Sequence, residues 1–179
     1  MDDNASGAGV LTELAGHMSG LDTDLGLEFV AFGAEEVGLQ GAAHYVQTLG
    51  ERRDDMAGMI NIDSLITGDF MYAHAGTEYL DDPALLSLWS RAQDIARDMG
   101  IDLRSNPGRN PDYPINTGCC SDAAVFEGYG IPILWLESTN WDLGDLDGYT
   151  QTDNPAIPGG STWNDPVEDN WEFLLAALG

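Results

Sequence analysis

Three short apolar runs constrain this chain more than any other feature. Residues 25–34 (LGLEFVAFGA), 56–66 (MAGMINIDSLI) and 131–139 (IPILWLEST) are rich in residues that suit pleated strands. Their apolar character is nearly continuous, which fits strands covered on both faces, as in α/β sheets. Residues 69–76 (DFMYAHAG) read as a further strand. Helical patterns separate these runs. Asn4 or Ser6 can cap a first helix whose apolar face is Val10, Leu11, Leu14 and Met18. Residues 38–50 form a second helix that stops at Gly50, and residues 81–100 a third, with acidic residues and Pro83 in its first turn and Gly100 at its end. A short helix over 121–130 and a closing helix over 165–179 complete the pattern, with loops rich in Gly, Pro, Asn and Asp at 104–118 and 140–162. The expected fold is α/β: one domain over residues 1–179, three-layered, with a mixed central sheet and helices on both faces.

Charge restricts the partners. Asp and Glu number 31 against 6 Lys plus Arg, all six of them Arg, and the net charge is −25. Nucleic acid is excluded as a partner, because a phosphate backbone demands a basic surface. No apolar run approaches the roughly 18 residues of a membrane-spanning helix, so no membrane partner is expected. No signal peptide opens the chain. The carboxylates are dispersed among apolar segments rather than gathered in a tail. A chain this acidic repels itself, and salt screens that repulsion, so a salt-loving source is expected.

In open α/β sheets, chemistry collects at the carboxyl ends of strands. Three acidic clusters fall near such ends: Asp2–Asp3 at a helix start, Glu35–Glu36 after the first run, and Asp63 at the end of "MINID". Carboxylates brought together raise one another's pKa and call for a cation. Adjacent side chains point different ways, so one of Glu35 and Glu36 can hold a metal while the other faces a substrate water, a division that suits metal-assisted hydrolysis. Cys119 and Cys120 are neighbours, which leaves open a vicinal disulfide or two small buried thiols. Of the three histidines, His17 and His44 read as surface or packing residues. His74 is the one that falls at a strand end.

The blocks "DDNASGAG" (2–9), "GAEEVGLQGAAHYV" (33–46), "GMINIDSL" (58–65) and "CCSDAAVFEGYGIPILWLESTNWDLGDLDGY" (119–149) together resemble, in order, the M28 zinc aminopeptidases, and most of all the branch named for alkaline phosphatase isozyme conversion. The resemblance implies that Asp2 bridges two zinc ions, that Glu35 is the general base and acid, and that Glu36 and Asp63 each ligate one zinc. The family's late histidine position, in "GGSTWNDPVEDN", holds Asn164. The family's earlier histidine block would precede Asp2, so the chain reads as an M28 core without its N-terminal strands, its open sheet edge covered by a second copy or a partner chain. With oxygen donors alone, Mg²⁺, Mn²⁺ or Ca²⁺ are alternatives to zinc. Asp142, Tyr149 and Trp163, with Asp145, Asp147 and Trp141 near them, are candidates for the substrate pocket by position in the late loops.

The expected function is that of a metal-dependent aminopeptidase-like hydrolase acting on peptide or protein N-termini. The alternative is an inactive relative that serves as a binding or structural module. The family is largely exported, which favours an extracytoplasmic address. Self-repulsion makes one outcome measurable at once: the thermal unfolding midpoint rises as NaCl is raised from millimolar to molar. A midpoint that falls or stays level would remove the salt-loving reading.

Overall fold

The computed structural model describes residues 1–77, 81–141 and 169–178. A tight turn over Asp2–Ser6 leads into helix α1 (Gly7–Met18). Gly7 is required there: a Cβ would lie 2.3 Å from Asn4 Oδ1 and 2.6 Å from the Ile62 carbonyl oxygen. Helix α2 (Gln40–Leu49) ends, as expected, at Gly50, with φ 58°. A single short turn over Gly50–Asp55 connects it to strand β1 (Met59–Ile62). Then follow β2 (Phe70–His74), α3 (Ser87–Met99), β3 (Leu103–Arg104), α4 (Ala123–Glu127), β4 (Ile133–Thr139) and α5 (Trp171–Leu178).

The four strands form one mixed sheet in the order β1-β4-β2-β3. β4 pairs parallel with β1, from Met59↔Ile133 to Ile62↔Leu136, and antiparallel with β2, from His74↔Trp135 to Phe70↔Thr139. β2 and β3 are parallel. The last strand in sequence therefore lies inside the sheet, and its residues are buried throughout except Leu136, which is half-buried. That double burial is why its sequence shows no alternation.

Along β4, the period of two directs Ile133 and Trp135 to one face. There they meet Ala42 and Val46 of α2 and Ala123 and Phe126 of α4 in the main core. Phe32 and Tyr45 close over Phe126, with ring centroids 5.9 and 6.2 Å away. Each fully buried side chain of this size contributes about 1.5–3 kcal/mol. Elsewhere α3 is tied to the sheet by Trp89, whose Nε1–H donates to the Ala73 carbonyl at 3.1 Å.

Two expectations differ. Helix α3 starts at Ser87 rather than in the low eighties, because residues 83–86 form a separate turn in which the Asp82 carboxylate accepts from the Ala84 N–H at 2.9 Å. The run 25–34 has no turn or bend from residue 26 onward, yet it is not a strand of the sheet. A strand exists only with a neighbour to take its hydrogen bonds, and among the described residues the run 27–32 makes no backbone–backbone hydrogen bond.

Candidate metal-dependent active site

The pocket of interest opens past the ends of the 26–32 run and β1, beside the middle of β4. It is lined by Asp3, Glu35, Glu36, Asp63, Cys119, Cys120 and Glu137, with Ser64 and Trp135. Glu35 and Glu36 are presented by a loop closed by backbone bonds: Leu39 N–H to Glu35 O at 2.8 Å, Gln40 N–H to Ala34 O at 3.1 Å and Gly41 N–H to Gly33 O at 3.1 Å. Gly41 permits that closure, since a Cβ there would lie 2.3 Å from the Gly33 carbonyl oxygen. Ala34, just before Glu35, and Ser64, just after Asp63, have φ of 57° and 48°. Left-handed non-glycine residues cost of order 1 kcal/mol each, and they gather where a site over-determines the backbone. Asp63 is oriented by Ser121, whose hydroxyl donates to Oδ2 at 2.5 Å while accepting from Asn61 Nδ2 at 2.8 Å.

The resemblance placed the bridging role on Asp2, and the geometry corrects that assignment. Asp2 is fully buried, and its carboxylate is already occupied. Oδ1 accepts from the Ile66 N–H at 2.9 Å, and Oδ2 from the Thr67 N–H at 2.9 Å and the Thr67 hydroxyl at 2.5 Å. Asp2 thus clamps the turn after β1 to the chain's first turn. Asp3 is the member of the pair that lines the pocket. Asp169, next to α5, accepts from the Asp2 N–H at 2.6 Å and the Asp3 N–H at 3.2 Å, so the turn that aims Asp3 is held from both sides. Nothing in the sequence distinguished Asp2 from Asp3; the choice depends on which way the turn twists.

Electrostatics mark the same group. The Glu35 carboxyl is pushed up to about 7, first by burial and then by the charges of Glu36, Asp63, Asp122 and Asp3. The Glu36 carboxyl also rises to about 7, through burial, a hydrogen bond with Asp3, and the charges of Asp3 and Asp63. Burial raises Asp63, with Asp3 and Asp2 adding to it against the lowering effect of Ser121 and Ser64. Asp122, beside them, reaches about 6 through burial and Asp63. Among the described residues, no basic side chain lines the pocket. A set of carboxylates with this shared repulsion has the donor chemistry for a divalent cation. Among the described residues, no three His, Cys, Asp or Glu converge closely enough to form a metal site by themselves.

One further feature escaped sequence reasoning. Glu137 sits in the middle of an apolar strand, the one signal that could have singled it out. It lines the pocket and pairs with fully buried His74 across the β2–β4 ladder, Nε2 to Oε1 at 2.6 Å. His74 therefore reaches the pocket only through Glu137. Cys119 and Cys120 are bonded to each other, which selects one of the two alternatives left open. His17 is exposed and paired with Glu13 at 3.6 Å, and His44 is exposed on α2. Trp141 is buried against Tyr113, with ring centroids 5.4 Å apart, and belongs to the body of the fold. Asn164, Asp142, Asp145, Asp147, Tyr149 and Trp163 lie outside the described residues.

Comparison with known proteins identifies the family and the fold. The sequence pattern of peptidase family M28 matches residues 1–174. The chain is 41% identical to the alkaline phosphatase isozyme conversion protein of Escherichia coli strain K12 over 99% of its own length and 52% of that protein's. It is 30% identical to an aminopeptidase of Bacillus subtilis strain 168, over 80% of its length and 29% of the relative's. The solved structure of BSAP, described as a zinc aminopeptidase from Bacillus subtilis, superposes with a TM-score of 0.64 at 26% identity, covering 86% of this chain and 34% of that one. The chain therefore spans about half the length, or less, of the relatives it matches.

Two outcomes follow for the metal-free protein in chelator. Asp2→Ala leaves the Ile66 and Thr67 donors buried without partners and costs about 2–4 kcal/mol in urea unfolding, whereas Asp3→Asn removes one repelling charge and is neutral or stabilising. Equal losses for both would contradict the separate roles. The raised carboxyls also set a pH dependence. Glu35, Glu36 and Asp122 bind protons more tightly folded than unfolded, so they favour the folded state below about pH 4.5, and that contribution is lost as pH rises through about 6 to 7. The urea midpoint should fall between pH 5 and pH 8, less steeply in Glu35→Gln.

Proposed function

Because the chain belongs to peptidase family M28, we propose that it carries the catalytic half of a metal-dependent aminopeptidase that releases residues from the N-termini of peptides. The observation that carries this reading is the placement of Glu35 in one pocket with Asp3, Glu36 and Asp63.

Asp3, Glu36 and Asp63 are the residues that would hold the metal. Asn164, at the family's late histidine position, is proposed to add an amide oxygen. Zinc is the metal implied by the solved relative's description, with Mg²⁺, Mn²⁺ and Ca²⁺ as alternatives suited to an oxygen donor set. When bound, such a metal supplies an acidified water and positive charge for the oxyanion that develops at the scissile carbonyl. Glu35 takes the proton from the attacking water and returns it to the leaving amine. Glu36, which lines the same pocket, is assigned to the metal rather than to the proton transfer. Ser121 holds Asp63 in one orientation, and Asp2 holds the turn that aims Asp3. The carboxylate-rich walls attract a substrate's protonated amino terminus. Asp142, Tyr149 and Trp163 are proposed to contribute to the pocket for the first side chain.

The test uses protein equilibrated with zinc and freed of excess metal, assayed on an aminoacyl p-nitroanilide and on its N-acetylated counterpart. Glu35→Gln is expected to retain the bound metal and to lower kcat by about 10²–10⁴-fold, and the acetylated substrate is expected to resist cleavage. Wild-type rates in Glu35→Gln would refute the role of Glu35, and equal cleavage of the two substrates would refute the exopeptidase reading.

A further inference from the structure

The segment 118–121 carries two of the pocket's lining residues and is pinned at both ends. At one end the Gly118 N–H donates to the Gly76 carbonyl at 3.0 Å. A Cβ at Gly118 would lie 2.8 Å from Cγ and Cδ2 of His74, so this backbone packs directly on the imidazole that meets Glu137. At the other end the Ser121 hydroxyl donates to Asp63 Oδ2 at 2.5 Å and accepts from Asn61 Nδ2 at 2.8 Å. The Ser121 carbonyl also starts α4 by accepting from the Ala124 N–H at 2.9 Å, and the Asp122 carbonyl accepts from the Val125 N–H at 3.2 Å. Between the pinned ends stand Cys119 and Cys120, bonded to each other. Cys119 is half-buried and Cys120 is exposed. Both line the pocket with Asp3, Glu35, Glu36, Asp63 and Glu137, and the hydrolysis described above gives their bond no part.

A disulfide within reach of solvent is open to exchange, because the attacking thiolate needs access to one sulfur. Cys120 is the exposed partner, so its Sγ is the one attacked. A bond forms from the incoming sulfur to Cys120 Sγ, the Sγ–Sγ bond breaks, and Cys119 leaves as a thiolate that takes a proton from water. A second thiol attacks the incoming sulfur of the mixed disulfide and frees Cys120. Two external thiols are thereby oxidised to their own disulfide, and the two cysteines are reduced. Charge decides which thiols can do this. The reacting thiolate is itself an anion, and it must approach a wall of carboxylates with no basic side chain among the described lining residues. A thiol with a built-in ammonium arrives neutral, whereas one with a sulfonate arrives doubly negative. We propose that the Cys119–Cys120 disulfide is an exchange site for small aminothiols and that it locks the wall of the carboxylate pocket. Reduction frees the two residues between the pins, so Ser121 no longer holds Asp63 in one orientation and Gly118 no longer backs His74 and Glu137. The inference is independent of hydrolysis, since its readouts are thiol counts and backbone exchange.

The experiment uses the metal-free protein in chelator. Iodoacetamide labelling read by peptide mass is expected to find no free thiol before reductant and two after cysteamine, without denaturant. Rates of reduction by cysteamine and by 2-mercaptoethanesulfonate, each divided by its rate on 2-hydroxyethyl disulfide, are compared from the lowest salt at which near-ultraviolet circular dichroism is retained up to molar salt. Cysteamine is expected to lead by about tenfold or more at low salt, and the lead is expected to shrink as salt screens the carboxylates. In the reduced protein, amide exchange at Gly118, Ala124 and Val125 is expected to quicken by about tenfold or more while Leu134 and Leu136 of β4 stay protected, which shows that the sheet is intact. The doubly substituted Cys119→Ser, Cys120→Ser protein is expected to exchange like the reduced one and to ignore thiols. Two free thiols before reductant, or reduction only in denaturant, would overturn the exchange site. Equal normalised rates for the two thiols would overturn the selection by charge, and unchanged exchange at Ala124 and Val125 would overturn the lock.

Discussion

Like-charge repulsion is the constraint around which this structure is arranged. Asp3, Glu35, Glu36 and Asp63 face one pocket with no basic side chain among its lining residues. Left to itself, such a set would spread into water. The fold prevents this with devices placed one residue away from each carboxylate. Asp2 anchors the turn that carries Asp3, Ala34 takes a left-handed conformation before Glu35, and Ser64 takes one after Asp63. Ser121 fixes Asp63 directly. Burial first, and the carboxylates' mutual repulsion after it, raise the carboxyl pKa values.

The same economy explains why acidic residues occur in adjacent pairs. The chain carries two such pairs, Asp2–Asp3 and Glu35–Glu36. In the first pair one carboxylate is consumed by the backbone of the 66–67 turn and the other reaches the pocket. In the second pair both reach the pocket, where their different surroundings permit different roles. Glu137 adds a carboxylate from the central strand, steadied from behind by His74. The pocket thus draws on the first turn, the 33–41 loop, the end of β1 and the middle of β4. It is assembled only when the sheet is.

Among the described residues β1 is an edge of the sheet. β4 is satisfied by β1 and β2, but β1 offers half its backbone groups to a groove, and the 27–32 run offers its own from across it. An α/β sheet tolerates a free edge when it is short or charged; this one is apolar. The groove beside β1 and the carboxylate pocket share Asp3, Glu35 and Asp63.

Much of this was legible in the chain's pattern. Continuous apolar runs at 56–66 and 131–139 announced doubly covered strands, Gly50 and Gly100 marked helix ends, and the glycines around Glu35–Glu36 marked a loop that must close tightly. These are local consequences of backbone sterics and side-chain hydrophobicity, and one sequence suffices to read them. What the sequence could not supply was direction and partnership. The run 25–34 has every residue preference of a strand, yet no strand forms there without a neighbour to pair with. Asp2 and Asp3 are chemically identical, and only the twist of the first turn against residues 66–67 decides which is buried and which faces the pocket. His74 read as a strand-end histidine, but the antiparallel register of β2 on β4 sets it against Glu137. By itself the sequence determined an acidic α/β chain with carboxylates at its strand ends, because propensity, burial and net charge are summed over local composition. The tertiary structure alone decided which carboxylates meet, because that depends on contacts between residues far apart in the chain.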